Sequence, residues 1–321
     1  MPRPEFTDVR VGGGERRQRR DRRLVIASRA TTTQVVYLKN VHKFLKWCVR
    51  NDFIFDSVSC LDELLADYFH YILDMDLGKS VAKKCYYGVV MLLPEFKLRL
   101  PVAKACLAGF EALHPSVSYP PMSWDLAGLV AMNLVVSGDV DCAIAVVLAF
   151  ECLFRINEVI NIRARDVADS MDPRIGAFYT KMAVSLPKTK TGKNKWAEVT
   201  SKPVMVLLRS LVRRRGPDER LFDFSADTLR RKFKRSCRSV GLSAPYVFHS
   251  LRHGGATHRF MMGEPLEDIL RHGRWASTKS ARHYVQSGRA LLLAVSVDPG
   301  VLARARVVAT YVINYLISLS Q

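Results

Sequence analysis

A run of apolar residues, CAIAVVLAFECLF over positions 142–154, contains a single acid and ends directly on Arg155. A stretch this uniformly apolar predicts a helix buried all round, with other elements packed against it. It also delivers an arginine to the end of that helix. A buried guanidinium is costly unless it is paired or meets an anion. Glu151 and Glu158 are close in sequence, so a plain salt bridge stands beside the reading of an anion site.

A second set of chemistry-bearing residues lies between Phe248 and Val285, in FHSLRHGGATHRFMMGEPLEDILRHGRWASTKSARHYV. His249 and Arg252 are three apart and share one helical face. Trp275 adds an indole N–H donor, and Tyr284 follows nine residues later. No metal-ligand cluster or carboxylate pair accompanies them in the sequence, and neither a metal nor a cofactor is expected. The set suits a tyrosine oxygen attacking a phosphodiester, with cations and donors around the developing negative charge.

The rest of the chain divides around a proline-rich stretch. HPSVSYPPMSW begins at His114, and its prolines at 115, 120 and 121 favour an extended linker over 115–124. Before it, residues 24–114 read as four short helices. Tyr37, Val41, Phe44, Leu45 and Cys48 share one face after a threonine run suited to capping. A second helix starts at Ser59, with Asp62 three residues on as its capping partner. Two more cover 80–93 and 102–113. Residues 1–23, with RRQRRDRR, read as a basic disordered tail: a phosphate-binding arm, a nuclear-import signal or a solvated leader.

After the linker, residues 175–200 alternate like two strands around TKTGKNK, a hairpin with Lys190 near its tip and Lys188 and Lys193 as competing lysines. Residues 204–240 form a basic helical region, with eleven Lys/Arg against four Asp/Glu between Arg209 and Arg238. Basic residues interleaved with Leu, Phe and Val suit a helix packed on one side and facing phosphates on the other. The last apolar stretch, Val307 to Leu319, is shorter than the roughly 20 residues of a membrane span, so no membrane partner is expected. Together these elements predict a mainly α chain with a small antiparallel β-sheet, an α+β fold.

Net charge narrows the partners. The formal charge of +19 over 321 residues points to a polyanion. Seven cysteines, odd in number and without a CxxC, read as buried thiols in a reducing compartment.

The order Arg155, Glu158, Lys190 in TKTG, His249, Arg252, Trp275 and Tyr284 resembles the tyrosine recombinase (phage integrase) family over residues 30–290. Within it the chain is most similar to the Cre type, which carries tryptophan where many members carry a third histidine. The resemblance implies that Arg155 and Arg252 clamp the scissile phosphate and that Lys190 is the general acid for the leaving 5′ oxygen. It implies that His249 handles the proton of Tyr284, the nucleophile, and that Trp275 donates to the phosphate. Glu158 and His253 would support the site. His272 lacks the nine-residue spacing to Tyr284, while His258 and His283 read as packing or surface residues.

The resemblance also implies a helical core-binding (SAM-like) DNA-binding domain over 24–114 and a catalytic domain over 125–296. A C-terminal helix over 297–321 would be open to exchange between protomers. The expected partner is double-stranded DNA, bound by a homotetramer on paired sites. The expected activity is site-specific recombination, in the nucleus if the chain comes from a eukaryotic mobile element and in the cytoplasm otherwise. A type IB topoisomerase, a telomere resolvase-like enzyme and an inactive DNA-binding derivative are the alternatives. A covalent protein–DNA adduct would separate the enzymes from the binder, and product topology the recombinase from the topoisomerase.

Overall fold

The computed structural model describes residues 26–27, 29–115, 118–172, 180–189 and 192–320, the side chains of 187–189 and 192–194 excepted. The basic tail and Lys190 lie outside the described residues, as do the side chains of Lys188 and Lys193. The chain divides into two compact units, residues 1–117 and 118–321.

The first unit holds α1 (Thr31–Arg50), α2 (Val58–Asp74), α3 (Lys79–Leu92) and α4 (Pro101–Leu113). Phe44, Leu65, Phe69, Ile72 and Cys85 are among the residues that form its core. The helical periodicity therefore places the elements correctly, but two caps differ. α1 begins after Ala30 with no side-chain cap, and the cap of α2 is Ser57, which accepts from the Cys60 N–H. Asp62 is buried and caps a different helix. Its two carboxylate oxygens accept from the Val102 and Ala103 N–H groups, each at 2.9 Å, at the start of α4. A carboxylate at that helix N-terminus satisfies donors that have no intrahelical partner and opposes the helix dipole.

The second unit begins its helices with α5 (Trp124–Val136), capped by Ser123, and α6 (Val140–Glu151). Every residue of α6 from Cys142 to Phe150 is buried, as the apolar run requires. One turn of helix, α7 (Ile156–Val159), follows. The short strand β1 (Val167–Ala168) then pairs antiparallel with β2 (Met182–Thr189), which pairs antiparallel with β3 (Gly192–Val199). Met182, Val184 and Leu186 alternate inward and face Ala197 and Val199, so the sheet covers one side of the core. Two amphipathic helices, α8 (Lys202–Arg213) and α9 (Ala226–Ser239), precede the helix that carries the HxxR pair, α10 (His249–Met261).

The chain ends with α11 (Leu266–His272), α12 (Thr278–Tyr284), α13 (Ser287–Ser296) and α14 (Pro299–Ser318). By length and composition α14 is apolar enough to cross a membrane. One of its faces, Val301, Ala305, Ala309, Val312 and Leu316, is buried against its own unit, mainly on α5. The apolar C-terminal face thus has a seat within the same chain.

Close backbone approach fixes α10. All eight residues from Ser250 to Thr257 are buried. A Cβ at Gly254 would lie 1.7 Å from the Met122 carbonyl oxygen, and one at Gly255 would lie 2.3 Å from that of Phe150. Met122 also donates its N–H to the Ser250 carbonyl at 3.1 Å. The helix bearing His249 and Arg252 is therefore held backbone to backbone against the chain on both sides. Gly254→Ala should lower the stability of the second unit by about 2 kcal/mol or more, since the obstructing atom belongs to the main chain and cannot rotate away. Gly109→Ala in α4 meets open space and should instead stabilise by up to about 1 kcal/mol. Denaturant midpoints of the two variants check both signs.

Candidate active site

Two helix ends build the site. α6 stops at Glu151, and Leu153 takes a left-handed conformation, φ 51°. The Phe154 N–H then returns to the Ala149 carbonyl at 3.1 Å. α11 stops at His272, Arg274 takes φ 58°, and the Trp275 N–H returns to the Leu270 carbonyl at 3.0 Å. Both are Schellman-type ends, in which a left-handed residue reverses the chain and satisfies terminal carbonyls. Neither left-handed residue is glycine, so each turn carries strain of order 1 kcal/mol. The reversals put Arg155 and Trp275 immediately beyond them.

Two arginines converge on the carbonyls left over, and a third joins them through Glu158. Arg252 has 0% exposure and donates to the Leu153 and Gly273 carbonyls. Arg274 donates at 3.0 Å to each of the Cys152, His272 and Leu153 carbonyls, and at 3.1 Å to Glu158 Oε2. Arg155 is half-buried; its Nη1 is 2.7 Å from Glu158 Oε1, and its backbone N–H reaches Glu158 Oε2 at 2.8 Å. Burial alone would raise the Glu158 carboxyl. Arg274, the Arg155 N–H, Arg252 and Arg155 outweigh it and hold the carboxyl below its ordinary value. Burial, reinforced by Arg155 and Arg274, draws the Arg252 guanidinium down to about 9, which still leaves it charged near neutrality.

Around these cations stand the aromatic groups. Trp275 lies 4.6 Å from both the Arg252 guanidinium and the Tyr284 ring. Tyr284 ends α12 and is half-buried, with its hydroxyl 3.2 Å from His249 Nε2. The His253 ring stacks on it at 4.5 Å. His253 Nδ1 accepts from Gln286 Nε2 at 3.0 Å, and Thr257 Oγ1 donates to the Tyr284 carbonyl at 3.2 Å. Ring and backbone of the tyrosine are thereby both held. Among the described residues, the buried Arg252 Nε and Trp275 Nε1 have no hydrogen-bond partner. Two N–H donors on groups packed against the Tyr284 ring, with three guanidinium groups around one carboxylate, suit an anion.

The structure therefore brings together Arg155, Glu158, His249, Arg252, His253, Trp275 and Tyr284. The salt bridge weighed for Arg155 is present, but its acceptor is shared by all three arginines. His258 and His283 are exposed. His272 is half-buried, with Nε2 2.8 Å from the Glu151 carbonyl, and so braces the end of α6. Arg274 was passed over in the sequence. The only sign of it there is an arginine between Gly273 and Trp275, and three of its four acceptors are 116 to 122 residues away.

A family model described as the phage integrase family matches residues 130–290. The chain belongs to the phage integrase family. Its members include the tyrosine recombinases, and solved structures of that fold are similar to this chain. A lambda integrase dimer bound to a COC′ core site is 16% identical, with TM-score 0.57 over 84% of this chain and 76% of that one. A second such lambda integrase dimer is 17% identical, with TM-score 0.58 over 84% of this chain and 94% of that one. The XerH site-specific recombinase bound to a palindromic difH substrate, after cleavage, is 15% identical, with TM-score 0.53 over 83% of this chain and 79% of that one. No curated protein matches the chain in sequence. The integrase fold thus accounts for the mainly α architecture and its small antiparallel sheet.

Two histidines of this integrase fold, His253 buried and His272 half-buried, give its stability a pH dependence. Burial, then the neighbouring His249 and His283, push His253 down to about 3; burial, then Arg259, push His272 down to about 4. An unfolded histidine titrates near 6.5. Between about 6.5 and 4 the unfolded chain takes up protons that the folded chain refuses, so stability falls as pH falls through that window. The melting temperature should drop from pH 7 to pH 4. His272→Gln keeps a donor for the Glu151 carbonyl but does not titrate, and should flatten part of that slope.

Proposed function

We propose that the chain is a site-specific DNA recombinase that cleaves and rejoins strands through a 3′-phosphotyrosyl link. The observation that carries this reading is the Tyr284 hydroxyl 3.2 Å from His249 Nε2, beside Arg252 and the partnerless Trp275 N–H. In this reaction the Tyr284 oxygen attacks the phosphorus as His249 accepts its proton. Negative charge growing on the phosphoryl oxygens meets Arg155, Arg252 and Trp275, donors already in place. The bond to the 5′ oxygen breaks, and Lys190 protonates the leaving oxygen. The phosphotyrosyl bond keeps the ester, so a new 5′ hydroxyl can attack it and reseal the strand without ATP.

DNA is the proposed substrate because the chain carries a net charge of +19 and α9 turns Arg231, Lys234, Arg235 and Arg238 outward. Such a face collects phosphates without reading their sequence. The lambda integrase and XerH structures similar to this chain are complexes with a core site and a difH substrate. The proposed working form is a homotetramer on paired sites.

Tyr284→Phe should abolish the covalent protein–DNA adduct on denaturing gels while half-site affinity stays within about threefold, because phosphate contacts elsewhere supply affinity. An adduct that persists in this variant would remove Tyr284 from its role. Exchanged flanks among the wild-type products support recombination; relaxed circles without exchange point to topoisomerase chemistry.

Lys190→Ala should slow cleavage of ordinary DNA by about 100-fold or more, the usual scale of a general acid. A 5′-bridging phosphorothiolate should be cleaved at close to the wild-type rate, since a thiolate leaves without a proton. Equal losses on both substrates would transfer the role to Lys188 or Lys193.

A further inference from the structure

The Arg274 side chain touches none of Tyr284, His249 or Trp275 through a hydrogen bond, yet it is 8% exposed and uses both terminal nitrogens on four acceptors. It occupies a left-handed position, φ 58°, where glycine would be unstrained. It lies 5.3 Å from the Phe154 ring, which fixes the plane of its guanidinium. The contact that sets it apart is with Glu158. Oε2 of that carboxylate is 3.1 Å from Arg274 and 3.9 Å from Arg252, while Oε1 holds Arg155. Two cations thus compete for one oxygen, and Arg274 is the nearer.

We infer that Arg274 is a positioning residue of the strand-transfer reaction: it holds Glu158 toward Arg155 and off Arg252, leaving Arg252 to the phosphate. This inference rests on the reading of Tyr284 as nucleophile. If Arg274 is removed, Glu158 Oε2 is drawn to Arg252. A carboxylate bonded to that guanidinium offsets the charge meant for the phosphate and turns its free N–H groups away. The Leu153 carbonyl, which both arginines share, loses one of its two donors in the same step. Binding of a whole DNA site, spread over many phosphates, should hardly register the change, whereas the cleavage step should.

The left-handed backbone makes the test unusually clean, because Arg274→Gly removes the guanidinium while easing the turn. Single-turnover cleavage by Arg274→Gly should fall at least tenfold, with DNA affinity within threefold of wild type. Guanidinium ion at tens of millimolar should restore part of the rate in this variant and none in wild type. In a Glu158→Gln background, where no carboxylate remains to be held, Arg274→Gly should cost less than threefold more. A rate within twofold of wild type would overturn the inference. So would a loss that guanidinium does not rescue and that tracks a fall in melting temperature, or a full additional loss in the Glu158→Gln background. Wild type and Tyr284→Phe run alongside. If wild type forms no adduct, the nucleophile reading itself fails, and this inference with it; if wild type cleaves and Arg274→Gly cleaves equally, only the role of Arg274 falls.

Discussion

One buried carboxylate shared among three guanidinium groups is the constraint on which the second unit depends. Glu158 lies within 4 Å of Arg155, Arg252 and Arg274. A single negative charge does not neutralise three positive ones, and arginine at zero exposure is tolerated only where acceptors surround it. The acceptors here are main-chain carbonyls at the ends of α6 and α11. Those carbonyls need partners because the last turn of any helix leaves them unsatisfied, and they carry the negative end of the helix dipole. Each side of the arrangement thus resolves the other's unpaired groups. The fold around it follows: α6 must be buried to place its end in the interior, and α10 must approach within backbone contact to bring Arg252 there.

What the sequence disclosed follows from how local each signal is. The pair His249 and Arg252 was legible because a three-residue spacing defines one face of a helix whatever surrounds it. The apolar run before Arg155 was legible as a buried helix for the same reason. Trp275 and Tyr284 were legible as a donor and an attacking oxygen, but their exact roles came from resemblance, since nothing in a nine-residue spacing alone says that the two rings lie 4.6 Å apart. Asp62 shows where local reading stops. Its position suggested the cap of its own helix, but its oxygens serve α4, 40 and 41 residues away. Arg274 fails for a deeper reason. Its placement depends on a left-handed backbone and on carbonyls at Cys152 and Leu153, neither of which a side-chain pattern encodes.

The C-terminal helix illustrates a different limit. An apolar stretch must bury one face, but composition does not say against what. The answer lies in a size match: a Cβ at Gly128 would lie 3.0 Å from the Ala309 Cα, so glycine on α5 lets α14 come close. Small residues Ala305 and Ala309 on α14 continue that seam. Close helix packing of this kind is written in residue volumes on two distant segments, and it becomes visible only once both are placed.

The division of labour between carbonyls and carboxylate bears on the proposed strand transfer. Had carboxylates satisfied every buried arginine, the site would be electrically complete, and an incoming phosphate would have to displace them. Carbonyl oxygens hold a guanidinium as firmly in direction but carry no full charge, so they fix its orientation without cancelling it. A dipole anchored in a helix end also cannot follow the cation, so charge developing on a phosphate in the proposed reaction would cost no reorganisation there. The single carboxylate is the exception, and it sits where it can do least harm, clasped by Arg155 and Arg274 at 2.7 and 3.1 Å but only within 3.9 Å of Arg252. The excess positive charge is thereby concentrated on Arg252, the arginine stacked against the rings of Trp275 and Tyr284. In the proposed reaction, the charge that would meet the phosphate is set by which acceptors are neutral as much as by how many arginines are present.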